Sequence, residues 1–200
     1  MKQLLLIIAI IVVISLAACE SQASNQPVIA TGKLDTAEAY LLRGDSYSEI
    51  QDYDHAIADY DQAIRLKPDY AEAYNNRGYA HYWNYEGDKA IVDYSQAIEL
   101  RPDYAYAYNN RGAAYMAGGH SDQAISDFNR AIELQPNYPQ AYINRGNASM
   151  RLGRFGLAFA DFRRGGGNPI RTIALLCSLP AITILLGLVV MKIAKQRHHG

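Results

Sequence analysis

The feature that most limits what this chain can fold into is a period of 34 residues that runs through its middle without slippage. Ala39-Tyr40, Ala73-Tyr74, Ala107-Tyr108 and Ala141-Tyr142 keep that spacing, and Arg-Gly pairs at 43–44, 77–78, 111–112 and 145–146 keep the same register. Ala56, Ala90, Ala124 and Ala158 follow in step, then Tyr60, Tyr94, Phe128 and Phe162. Pro68, Pro102 and Pro136 close the first three units. A unit of this length cannot bury its apolar face alone, so neighbouring units must stack to make a core.

Over residues 37 to about 164 this pattern resembles the tetratricopeptide repeat. The resemblance implies an all-α fold, a right-handed superhelix of helix-turn-helix units at 37–70, 71–104, 105–138 and a truncated 139–168. Each unit is expected to form a helix A, a short turn and an antiparallel helix B. Proline then ends B, because it lacks the N–H a continuing helix needs and clashes with the turn before it. Gly44, Gly78, Gly112 and Gly146 are expected to face Ala56, Ala90, Ala124 and Ala158, so that paired helices approach closely. Tyr40, Tyr74, Tyr108 and Tyr142 would fill the space beside that contact, and Ala63, Ala97 and Ala131 would meet the next unit.

One departure from the family pattern is informative. Position seven, usually leucine in the family, is Arg43, Arg77, Arg111 and Arg145, and sixteen residues later each unit carries Asp59, Asp93, Asp127 or Asp161. Cation and carboxylate recurring in step, one on A and one on B, point to a ladder of interhelical ion pairs. The alternative, that the arginines contact a ligand, leaves the matched aspartates unexplained. The fourth unit ends in Gly165-Gly166-Gly167-Asn168-Pro169 with no polar capping helix after it. An uncapped solenoid end exposes apolar surface. Phe155, Phe159 and Phe162 are the candidates here, for contact with a membrane or for a homodimer.

Both ends of the chain are apolar. Leu4 to Ala18 is broken only by Ser15, and its fifteen residues make a helix of roughly 22 Å, short of a ~30 Å hydrocarbon core. Residues 1–18 therefore read as a signal peptide. Leu16-Ala17-Ala18-Cys19 resembles the bacterial lipobox, which implies cleavage before Cys19 and a lipid on its thiol. A cut near Ala17 or a retained anchor are the alternatives. Residues 20–36, rich in Ser, Gln and Asn, are expected to form a flexible linker. At the other end, Thr172 to Met191 holds twenty residues without a charge, enough for a transmembrane helix, with a buried core helix as the alternative. Lys192, Lys195 and Arg197 then mark 192–200 as a basic cytoplasmic tail. Together these ends place the chain in the plasma (inner) membrane with its repeats outside. Cys19 and Cys177 both lie at apolar ends, so no disulfide framework is implied.

The middle carries the function. Residues 37–168 hold 13 Lys and Arg against 18 Asp and Glu, which argues against nucleic acid, whose binding needs a clustered basic face. Histidines are isolated, no nucleophile–base set or phosphate loop is present, and no cofactor or metal is implied, so an enzyme is not expected. In the family the A helices line a concave groove. Carried over, its inward positions give Asn75, Asn76, Tyr79, Tyr82 and Trp83 in unit two, and Tyr106, Asn109, Asn110 and Met116 in unit three. Unit four adds Asn144 and Asn147. Amides beside large rings suit a peptide or a partner helix. A terminal carboxylate is not the expected ligand, since Arg151 is the one base among those positions. The expected function is a membrane-anchored interaction scaffold or adaptor. An assembly factor holding unassembled envelope proteins is the alternative.

Overall fold

The computed structural model describes residues 35–166 of the chain. The signal peptide with its lipobox and Cys19, nearly all of the linker, the 172–191 span, Cys177 and the basic tail lie outside the described residues. Among those described, no helix is long and apolar enough to cross a membrane.

Among the described residues eight helices follow one another: α1 (Ala37–Glu49), α2 (Tyr53–Leu66), α3 (Ala71–Trp83), α4 (Gly87–Leu100), α5 (Ala105–Ala117), α6 (Ser121–Leu134), α7 (Pro139–Arg151) and α8 (Phe155–Arg164). They are the A and B helices of four repeats. Local chemistry sets their ends. Thr36 Oγ1 accepts from the Ala39 N–H at 3.1 Å to start α1, and Asp52 Oδ1 accepts from the His55 N–H at 3.3 Å to start α2. Pro139 opens α7, where its missing N–H costs nothing. Between A and B the chain turns through a left-handed residue at the same repeat position each time: Gln51, Tyr85, Gly119 and Gly153.

The chain divides into two compact units, with the boundary after Ala114, inside α5. In the first unit α1 packs on α2, α2 on α3 and α3 on α4, and α1 also touches α3. Its core gathers Leu41, Ala56, Tyr60, Ala63, Ala73 and Ala80, with a second cluster of Ala90, Tyr94 and Ala114. In the second unit α6 packs on α7 and α7 on α8, around Ala124, Phe128 and Ala148.

The nearest neighbours of Gly44, Gly78 and Gly146 are rings, with the expected alanine also close at Gly78, where a Cβ would stand 3.2 Å from the Ala90 carbonyl oxygen. A Cβ on Gly44 would stand 2.6 Å from Tyr60 Cε1, one on Gly78 2.9 Å from Tyr94 Cε1, and one on Gly146 2.7 Å from Phe162 Cε1. The Cδ1–Cε1 edge of the ring on helix B abuts helix A at the glycine, and only a missing side chain leaves room for it. This corrects the reading of Phe162, which is 3 % exposed because it fills that slot, whereas Phe155 is 56 % exposed. Leu157 and Phe159 complete the exposed edge of α8. Gly165 stands at the repeat position of Ala63, Ala97 and Ala131, and a Cβ there would lie 2.7 Å from Ile143 Cγ1. The last helix thus comes closer to its partner than an alanine would permit.

Candidate protein-binding surface

Arg43, Arg77 and Arg145 meet the aspartates sixteen residues further on as two-point forks. Arg43 Nε and Nη2 donate to Asp59 at 2.7 and 2.6 Å, Arg77 to Asp93 at 2.9 and 2.6 Å, and Arg145 to Asp161 at 2.8 and 2.6 Å. Arg111 stands in the first unit and the buried Asp127 in the second. Sequence reasoning missed a second arm. Nη1 of Arg77 donates to Asp61 at 2.6 Å, that of Arg111 to Ser95 at 3.1 Å, and that of Arg145 to Asn129 at 2.7 Å. Each of these acceptors sits on helix B of the preceding repeat, so one guanidinium ties two repeats together. Each arginine also lies over the tyrosine three residues before it, with Arg77 5.3 Å from the Tyr74 ring centre and Arg145 5.5 Å from that of Tyr142. Tyr40, Tyr74, Tyr108 and Tyr142 are therefore platforms for the ladder.

Electrostatics agree with this. The Asp59 hydrogen bond raises the Arg43 pKa, and the Asp161 hydrogen bond raises that of Arg145. For Arg77 burial works against the charge, but the bonds to Asp93 and then Asp61 outweigh it and raise the pKa. No buried side-chain nitrogen or oxygen among the described residues lacks a hydrogen-bond partner. In Arg43, Arg77 and Arg145 the guanidinium is engaged by a carboxylate of helix B.

A polar path crosses the A helices of the first unit. Asn110 Nδ2 donates to Asn75 Oδ1 at 3.1 Å, Asn75 Nδ2 to Asn76 Oδ1 at 3.0 Å, and Asn76 Nδ2 to Asp45 Oδ1 at 2.9 Å. The Tyr60 O–H joins the same Asp45 oxygen at 2.8 Å. Burial, then the neighbouring Asp45, push the Tyr60 pKa far up, so the phenol keeps its proton. Asn75 and Asn109 are buried, whereas Asn76 and Asn110 are half-buried. An open pocket of about 330 Å³ lies along this path, lined by Asp45, Ser48, Glu49, Tyr60, Asn75, Asn76 and Tyr79.

Tyr79 and Trp83 are 41 % and 49 % exposed, and their rings meet edge-on at 6.1 Å. Tyr82 packs against Trp83 at 5.5 Å and against the core, and Tyr106 stands half-exposed beside Tyr104. The structure thus brings Asn75, Asn76 and Tyr79 together at the pocket, with Trp83 one turn further along α3. Met116, Asn144 and Asn147 belong to the second unit, where Met116 packs on the core and Asn144 accepts from Gln140 at 2.9 Å. Arg151 donates to the Met116 carbonyl. The contribution of α1 was missed. Asp45, Ser48 and Glu49 occupy the same repeat positions as Tyr79, Tyr82 and Trp83, so extending the inward positions to unit one would have found them. Among the described residues no group of three or more His, Cys, Asp or Glu is placed to hold a metal ion.

Comparison with known proteins agrees with this geometry. Residues 44–84 and 86–119 match the family model described as TPR repeat, and residues 105–138 match that of the tetratricopeptide repeat. No curated protein matches the chain. Among solved structures, MamA is 30% identical with a TM-score of 0.61, covering 64% of this chain and 75% of that one. The first such domain of Spaghetti, solved bound to the HSP90 peptide SRMEEVD, is 29% identical with a TM-score of 0.58, covering 59% of this chain and 94% of its own. The domain of Arabidopsis OM64, at 23% identity and a TM-score of 0.57, shares the fold. With its period, its helix pairs and these matches in agreement, the chain belongs to the tetratricopeptide-repeat family.

Proposed function

We propose that this chain is a membrane-tethered scaffold that binds protein or peptide partners through its repeats, held on the outer face of the plasma membrane. The observation that carries the binding role is the solved Spaghetti domain, 29% identical, which holds a peptide and of which this chain spans 94%. The A helices of the first unit present a surface suited to such a partner, with exposed Tyr79 and Trp83 beside an open, amide-lined pocket. The tether rests on the lipobox-like Leu16-Ala17-Ala18-Cys19 and on the uncharged stretch from Thr172 to Met191. The exposed Phe155, Leu157 and Phe159 of α8 support a homodimer through that end.

A photo-crosslinking residue in place of Trp83, irradiated in cells, tests the binding role. A stable partner in stoichiometric yield supports the scaffold, many substoichiometric clients support an assembly factor, and no adduct overturns both. Labelling with a lipid precursor tests the tether: incorporation that Cys19→Ser abolishes supports it. Repeats that external protease cannot reach would overturn the outward placement. Sedimentation as a monomer would overturn the homodimer.

A further inference from the structure

The first unit is strongly acidic, and most of its bases are already engaged. Its described residues, 35–114, carry 15 Asp and Glu against 7 Lys and Arg, whereas residues 115–166 carry 4 against 6. Arg43 and Arg77 are held in the buried forks, Lys89 reaches Glu86 at 2.7 Å, and Lys67 and Arg101 lie over Tyr70 and Tyr104. The pocket between α1 and α3 has two carboxylates in its wall, Asp45 and Glu49, and no base. Both donors to Asp45, the Tyr60 O–H and the Asn76 amide, use Oδ1. Among the described residues Oδ2 takes no hydrogen bond, and neither does the exposed Glu49 carboxylate one turn on.

Two further carboxylates belong to the same two helices, Glu38 on α1 and Glu72 on α3. Burial first, then Glu72, Glu38 and Asp45, raise the Tyr70 pKa, and burial, then Glu72, raise that of Tyr104, with Asp45 a smaller influence. Together α1 and α3 carry four carboxylates against two bases, Arg43 and Arg77, so the helices that wall the pocket are net negative. On α3 stand the exposed faces of Tyr79 and Trp83, whose quadrupoles attract cations. Charge and rings favour one chemistry. A guanidinium suits it best, since its planar fork can bond a carboxylate while its face stacks on a ring.

We propose that the pocket formed by Asp45, Glu49, Asn76 and Tyr79, with Trp83 one turn beyond it on α3, seats an arginine or lysine side chain of a basic peptide segment on the partner protein. This rests on the scaffold reading and specifies its partner. The sign is opposite to that of a carboxylate-terminated acidic peptide such as SRMEEVD. A basic segment gains from the field of the whole unit during approach, and binding weakens as salt screens that field.

Fluorescence polarisation with the full chain in detergent tests this. The probes are labelled peptide pools with a fixed central arginine, lysine, glutamine or glutamate, together with SRMEEVD. The arginine and lysine pools are expected to bind at least about tenfold more tightly than the others, a difference the size of one charge-assisted hydrogen bond. Glu49→Gln, an exposed change that leaves the fold alone, should weaken the arginine pool several-fold. Asp45→Asn, which still accepts from Tyr60 and Asn76, should add to that loss. Equal binding of the glutamine and arginine pools, preference for the glutamate pool or SRMEEVD, or no effect of Glu49→Gln overturns the proposal. If crosslinking at Trp83 still captures partners, only this assignment of their chemistry falls. If it captures nothing and no pool binds, the scaffold reading falls too.

Discussion

Arg77 grips Asp93 at two points, Nε to Oδ2 at 2.9 Å and Nη2 to Oδ1 at 2.6 Å, and the Asp93 side chain is left only 5% exposed. A carboxylate this deep depends on its cation. Arg77→Met should strand it and lower stability by about 3 kcal/mol, read as a shift of the urea midpoint. Arg77→Lys keeps the charge but not the fork, so it should fall between wild type and Arg77→Met. Adding Asp93→Leu to Arg77→Met removes the stranded charge and should restore part of the loss. An unchanged midpoint for Arg77→Met would mean that the ladder does not hold the repeats.

The glycine–ring contact makes a second prediction. Gly44→Ala places a methyl 2.6 Å from Tyr60 Cε1, inside a fully buried slot, and Gly146→Ala does the same against Phe162 at 2.7 Å. Each should cost roughly 1–3 kcal/mol through overpacking. Gly87→Ala is the internal control, since nothing lies within 4 Å of its added carbon, and it should not lower the midpoint. Equal effects at Gly44 and Gly87 would refute the slot.

How much of this was legible follows from what repeats. The helix pairs, their turns and the forks of Arg43, Arg77 and Arg145 were readable because chemically alike residues recur every 34 positions. The second arm was not, because its acceptors are Asp61, Ser95 and Asn129, three residue types with one shared ability to accept a hydrogen bond. The nearest neighbour of the glycine was misjudged for a geometric reason. Glycine and alanine are both small, and pairing them was reasonable, but a ring four residues on from the alanine reaches back to cover the gap. The pocket was missed because unit one breaks the Asn-Asn pattern of units two and three with Leu41-Leu42, although Asp45 and Glu49 keep the register.

Alkaline pH should unfold the protein through its buried tyrosines. Burial chiefly raises the pKa of both Tyr60 and Tyr94 far above the usual value of 10.0. A raised folded pKa means the contribution to stability is fully present below pH 10 and is lost as pH climbs toward the folded value. Above pH 10 the unfolded chain releases protons that the native chain keeps. Stability should therefore fall by about 1.4 kcal/mol per pH unit for each tyrosine. Tyr94→Phe should halve the slope that these two create, with little packing cost, because Phe128 and Phe162 hold that position in later repeats. A slope the same with and without Tyr94 would assign the alkaline transition elsewhere.

The turns between helices A and B test the backbone rather than the core. Tyr85 has φ 63°, and its equivalents in later repeats are Gly119 at 85° and Gly153 at 70°. A left-handed residue with a Cβ costs roughly 1–2 kcal/mol relative to glycine. Glycine also gives the unfolded chain more freedom, which offsets about 0.4–1 kcal/mol of the gain. The tyrosine side chain is 98% exposed, so its removal gives up almost no buried surface. Tyr85→Gly should therefore stabilise the first unit by about 0.5–1 kcal/mol, and Gln51→Gly should act in the same direction. Tyr85→Ala, which keeps the Cβ, should bring no such gain. Gly119→Ala is the reciprocal change and should lower stability by about 1 kcal/mol. If Tyr85→Gly and Tyr85→Ala shift the thermal midpoint alike, the exposed ring, not the backbone angle, is what matters at this turn.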